Sequence, residues 1–138
     1  MKRQTLIPFI LSCLLLIVCS CKKDPVDDFK SKIIGDWKYE KLVEKNYDYT
    51  GKLLNETTTL AKRGEYYHFN KDGKAIQYFD QISNDTYTII SESRFELKTG
   101  LVNPCRLVSI DKNTFVFIVE GPKRDQLDYK EYTHYLKK

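Results

Sequence analysis

The sequence predicts an all-β fold, a small antiparallel up-and-down β-barrel of about eight strands preceded by a short helix. Three observations predict it. After residue 35 the apolar residues recur at every second position in short runs. Those runs are separated at close spacing by Gly, Asp, Asn and Pro turn signals. Only one short stretch, around Phe29, has helical spacing. Such a pattern fits an antiparallel barrel or a sandwich, and closure into a barrel removes the edges that strands this apolar could not safely expose. The chain has 138 residues, the length of one domain.

The first element is an address. Lys2 and Arg3 precede an apolar run from Leu6 to Val18, which is too short to span a bilayer and fits the apolar region of a signal peptide. Val18-Cys19-Ser20-Cys21 resembles the lipobox of bacterial lipoproteins, an aliphatic residue and two small residues before the cysteine that is lipidated. The resemblance implies a signal peptide over residues 1–20 and a thioether-linked lipid on Cys21, with residues 21–28 as a charged tether and 29–138 as the barrel. Two or more acyl chains give stable membrane anchoring where one does not. Lys22-Lys23-Asp24 lacks the Asp directly after the cysteine that retains many lipoproteins in the inner membrane, so the outer membrane is the expected location. Removal of Lys2 and Arg3 leaves 21 basic against 19 acidic residues, about +2 and evenly mixed, which excludes a nucleic-acid partner. With Cys13 and Cys19 in the leader and Cys21 acylated, Cys105 stands alone as a strand thiol, the environment of a buried structural cysteine.

Asp27 or Asp28 can cap a helix of about two turns that puts Phe29 and Ile33 on one face, with Gly35 as its stop. Trp37, Tyr39 and Val43 then point one way along the first strand, and the misplaced Lys41-Leu42 pair marks a bulge or a bend. A turn at 50–52 leads to a Thr-rich strand over 53–60. The next strand, 65–69, meets the Asp72-Gly73 hairpin signal and returns over 74–80. A turn at 83–85 precedes strand 86–91. The cleanest alternation, Arg94 to Lys98, follows, and a loop bounded by Gly100 and Pro104 leads to strands 106–110 and 114–119. The last strand covers 128–136. Phe115 to Val119 is apolar on both faces, so its outer side should be covered, with the Phe29/Ile33 helix as the expected cover.

A helical turn, then Gly35-Asp36-Trp37, then hairpin-linked strands resembles the lipocalins, and especially the lipocalin-like (calycin) domains of outer-membrane lipoproteins. The likeness spans most of the mature chain in layout and rests in motif on Gly35 and Trp37. It implies that Gly35 permits the turn into the first strand and that Trp37 forms the floor of the barrel beneath a cavity. The family's late arginine over the tryptophan is missing, and Lys137-Lys138 stands where a lysine cation–π contact would replace it. The family's Thr-Asp-Tyr motif is also missing. The nearest string, Leu127-Asp128-Tyr129, lies out of order at the chain end.

Tyr39, Phe69, Tyr78, Phe95, Phe117 and Tyr132 are the candidate ligand-lining residues, large strand side chains of which the tyrosines add a hydroxyl handle. Small barrels are often filled by their own side chains, so two functions are open. One is binding of a small apolar or amphipathic ligand by a membrane-tethered domain. The other is a non-catalytic accessory of an outer-membrane complex, with a filled barrel. No phosphate loop, paired-cysteine metal motif or nucleophile elbow occurs, so no catalytic residue, metal ligand or cofactor is expected. His68 and His134 read as surface or rim residues, and Asp72 and Asp111 as turn residues serving the backbone.

Overall fold

The computed structural model describes residues 24–79 and 81–138. Cys21, and with it the expected signal peptide and lipidation site, lies outside the described residues. Among the described residues one helix, α1 (Pro25–Ile33), precedes nine strands: β1 (Gly35–Tyr47), β2 (Leu53–Leu60), β3 (Tyr66–Phe69), β4 (Lys74–Tyr78), β5 (Ile82–Ser91), β6 (Arg94–Thr99), β7 (Leu101–Ile110), β8 (Thr114–Glu120) and β9 (Tyr129–Lys137). Every pairing is antiparallel. The order β1-β3-β4-β5-β6-β7-β8-β9 closes on itself through β1 and β9, which pair from Lys38–Lys137 to Tyr47–Tyr129. The fold is therefore a closed eight-stranded barrel, with β2 outside it. β1 serves two neighbours on one edge, β3 beside Gly35 to Lys38 and β2 beside Lys41 to Tyr47.

The helix starts earlier than expected. Asp24 is its N-cap, its side chain accepting from Val26 N at 2.8 Å, and Pro25 occupies the first turn where no amide hydrogen is needed. Asp27 and Asp28 fall instead in the first turn, where negative charge favours the helix dipole. The helix does not cover β8 from outside. It lies at one end of the barrel near β5 and β7, its Phe29 and Ile33 fully buried in the core, with the Phe29 ring edge-on to Phe95 at 5.8 Å. On the outside of β8, Val116 and Ile118 are half-buried between their cross-strand neighbours Tyr135 and Thr133 of β9 and Ser109 and Arg106 of β7.

Other departures have local causes. The bulge in β1 is present, between Tyr39 and Lys41, and it turns the strand over. After it Leu42 faces the interior opposite His134, while Val43 faces outward opposite Thr133. Ser83, Asn84 and Asp85 are strand residues rather than a turn, because Gln77 and Ser83 hydrogen-bond the Asp85 carboxylate within the strand pair. The expected loop before Cys105 is also strand. Pro104 is tolerated in it because β8 pairs with β7 only from Cys105 onward, leaving no ladder partner on that side for the missing amide.

The core fills the helix end of the barrel. Trp37, Phe69, Phe95, Phe115, Phe117 and Leu136 are fully buried there, and the aromatic rings touch, from Trp37–Phe115 at 5.4 Å to Phe115–Phe117 at 5.0 Å. Gly35 enters β1 with φ +121°, a conformation that side chains rarely adopt. Lys138 Nζ lies 4.5 Å from the centre of the Trp37 ring, where the C-terminal lysines were expected to provide it. The opposite end is open, bounded by the β4–β5, β6–β7 and β8–β9 connections.

Candidate functional site

The lumen narrows to a cavity of about 190 Å³ at the open end, lined by Tyr67, Gln77, Leu97, Thr99, Asn103, Val119 and His134. These side chains come from β3, β4, β6, β7, β8 and β9, so six of the eight barrel strands converge on one small volume. The other two stand directly behind it. Tyr39 of β1 reaches His134, and Asp85 of β5 accepts from Gln77. A larger groove of about 930 Å³ runs outside the wall beneath the Ala61–Glu65 connection, open to solvent and lined mostly by charged residues such as Lys38, Arg63 and Lys137. The luminal cavity is the better candidate because its walls are fixed by the sheet and its polar groups converge.

His134 is the centre of that convergence. Strand alternation places it on the face of β9 that carries the buried Leu136, so it points inward. Its ring stacks on Phe117 at 4.7 Å with an interplanar angle of 3°. The hydroxyls of Tyr39 and Tyr67 approach Nδ1 at 3.2 and 3.5 Å. Burial lowers its pKa from the usual value to about 4, so the ring is neutral at neutral pH. Burial, and secondarily Glu65, raises the Tyr39 pKa. Burial, then Tyr39, raises that of Tyr67, so both phenols keep their protons.

The opposite wall is amide and carboxylate. Asp85, almost fully buried, accepts from Gln77 Nε2 and from Ser83 Oγ at 2.7 Å. Asn103 Nδ2 is held by Thr99 Oγ1 at 2.8 Å and by the Leu101 and Leu97 carbonyls. Above the cavity, the inner face of the longer β1–β9 wall continues with the Glu44–Lys130 ion pair at 2.7 Å, and the Asn46 amide donates to Asn55.

The sequence-derived candidates divide differently from expectation. Phe69, Phe95 and Phe117 are core residues with no free surface, because the helix end of the lumen is packed solid. Tyr78 lies on the outer wall, stacked on Tyr66 at 5.2 Å and partly exposed, because the β3–β4 register turns both outward. Tyr132 is half-buried opposite Glu44 and Val119, above the cavity rather than in its lining. Tyr39 alone of the six hydrogen-bonds a cavity residue. His134, expected at the surface or rim, is interior, and the signal was there: Tyr132, His134 and Leu136 share strand parity. His68 is at the surface, its ring between Asp36 Oδ1 at 2.6 Å and Asn70 Oδ1 at 2.7 Å, and these bonds, Asp36 first, raise its pKa.

Cys105 is buried and free, and desolvation pushes its thiol up to about 12, which makes it a poor nucleophile. Asp111 accepts from the amides of Asn113 and Thr114 and from the Thr114 hydroxyl, a turn role. Among the described residues no group of three or more His, Cys, Asp or Glu side chains could hold a metal ion. No protein-family model, curated protein or solved structure matches the chain.

Proposed function

We propose that this chain is a lipoprotein of the outer membrane, tethered through lipid on Cys21, whose lipocalin-like barrel binds a small amphipathic molecule by its polar end. The observation that carries the reading is the division of the lumen. One end is solid aromatic core, and the other is a cavity with neutral His134, Gln77, Asn103 and two phenols around it. A core built only for stability gains nothing from these groups, since buried polar atoms cost free energy unless satisfied. The volume is below the roughly 300–1,000 Å³ of drug-sized pockets. It therefore takes a small polar group, while an apolar remainder lies toward the mouth near Leu42 and Tyr132. Donation from the Tyr39 hydroxyl to Nδ1 leaves the ring proton on Nε2, a donor for the ligand. Asn103 and Gln77 supply further polar contacts.

Native mass spectrometry of the purified protein tests the reading: a bound small molecule is expected on the wild type and absent from Val119→Trp, whose indole fills the cavity. A wild type that carries no adduct after exposure to envelope lipid extract overturns it. Lipidation is tested separately, by incorporation of a labelled fatty acid that disappears in Cys21→Ala. The second reading, a non-catalytic accessory of a membrane complex, is favoured by one observation, the fully exposed strand outside the barrel.

A further inference from the structure

Strand β2 is outside the barrel, and all eight of its residues are exposed. β1 satisfies only one of its edges. Ala61 N donates to Glu40 O at 2.9 Å, and antiparallel alternation then turns the N–H and C=O of Asn55, Thr57 and Thr59 toward β1. Those of Glu56, Thr58 and Leu60 point away, to an edge that no described strand pairs. The strand, Leu-Leu-Asn-Glu-Thr-Thr-Thr-Leu, contains no Pro, Gly or Lys, and its single charge, Glu56, is already paired with Lys45 at 3.3 Å. Its protection against edge pairing is limited to a bulge at Leu54, near the start of the strand, and to the already paired Glu56, so the run from Asn55 to Leu60 is regular and open. Its Leu54 and Leu60 are 52% and 75% exposed.

We propose that this edge pairs with β2 of a second copy of the chain, antiparallel, about a two-fold axis at Thr57, joining two barrels through one continuous sheet. The register follows from symmetry and charge. A two-fold axis perpendicular to the sheet keeps every residue on its own face, so the numbers of opposed residues must sum to an even value. Only two such registers use seven of the eight strand residues, centred on Glu56 or on Thr57. The first sets two Glu56 carboxylates directly opposite each other, which is destabilising. The second sets Thr57 opposite Thr57, Glu56 opposite Thr58 and Asn55 opposite Thr59, and brings Leu54, the bulged residue, beside Leu60. It opposes no like charges, pairs threonine with threonine, and bonds the outward groups of Glu56 and Thr58 to each other across the axis. The pairing is independent of whether the luminal cavity holds a ligand.

The Thr57 pair would be non-hydrogen-bonded, with Cβ atoms about 4.5–5.5 Å apart, close enough for a disulfide after a small adjustment. The test uses the full chain with Thr57→Cys, mildly oxidised and digested with trypsin. The expected product is a disulfide-linked dimer of the peptide Leu53 to Lys62, identified by mass, and Glu56→Cys should not yield its counterpart. Thr58→Pro removes an outward amide and leaves the β1–β2 ladder intact, so the full chain in detergent should fall from dimer to monomer by sedimentation with its circular dichroism unchanged. A folded Thr57→Cys chain that gives no such peptide, equal cross-linking from Glu56→Cys, or a wild type that sediments as a monomer would each overturn the proposal.

Discussion

Trp37 is held by contacts of three kinds. Its Nε1 donates to the Ile33 carbonyl at 2.8 Å, its ring packs on Phe115, and Lys138 lies over its face. The indole thus ties the helix end, the first strand and the last residue together at the closed end. Trp37→Ala is expected to cost roughly 3–5 kcal/mol, read from denaturant midpoints. A loss within error would contradict its place in the core. Gly35→Ala should cost more than about 1 kcal/mol, because its φ of +121° is strained for any side chain. The two histidines respond to pH with opposite sign. His134 has a lowered folded pKa, so its contribution is fully present above about 6.5 and is lost as pH falls toward 4. That window corresponds to about 3 kcal/mol of stability. It should vanish in His134→Gln, as checked by urea melts across pH. His68 has a raised folded pKa, so its smaller contribution is present below its unfolded value and fades as pH rises through the folded one.

At the scale of elements, the two-residue period carried most of the information. It located all nine strands, and the Asp72-Gly73 signal located the β3–β4 hairpin. Misplacements arose where a residue type with a turn habit is used for something else. Ser83 and Asp85 supply an interior polar network, and Pro104 sits where a ladder partner is missing. The helix was legible from Phe29 and Ile33, but not its cap, because Asp24, Asp27 and Asp28 are locally equivalent and only the Asp24 to Val26 hydrogen bond decides among them. Asp24→Ala should destabilise by about 1 kcal/mol, measurable as a shift in melting temperature, and Asp27→Ala by less.

For the whole molecule, closure of β1 on β9 makes the difference between a sheet and a container. Closure was expected from the sequence on the ground that apolar strands need covered edges. The exception is β2, which lies outside the barrel with its polar run Asn55 to Thr59 and its leucines exposed. The site was much less legible. Aromatic residues on strands suggest cavity walls, whereas the cavity lies where aromatic packing ends and Gln77, Asn103 and His134 take over. Sequence alone cannot separate these, because a core phenylalanine and a lining phenylalanine share the same strand parity. His134 shares strand parity with Leu136, a signal that the reading of it as a surface or rim residue passed over. The site is built around that residue, a neutral histidine in the lumen. With only two histidines in the chain, proton NMR titration of their ring resonances tests it directly. One ring should titrate near pH 4 and, in His134→Gln, disappear, while the other titrates above the usual value. Two rings both titrating near 6.5 would contradict an enclosed His134 and the site built around it.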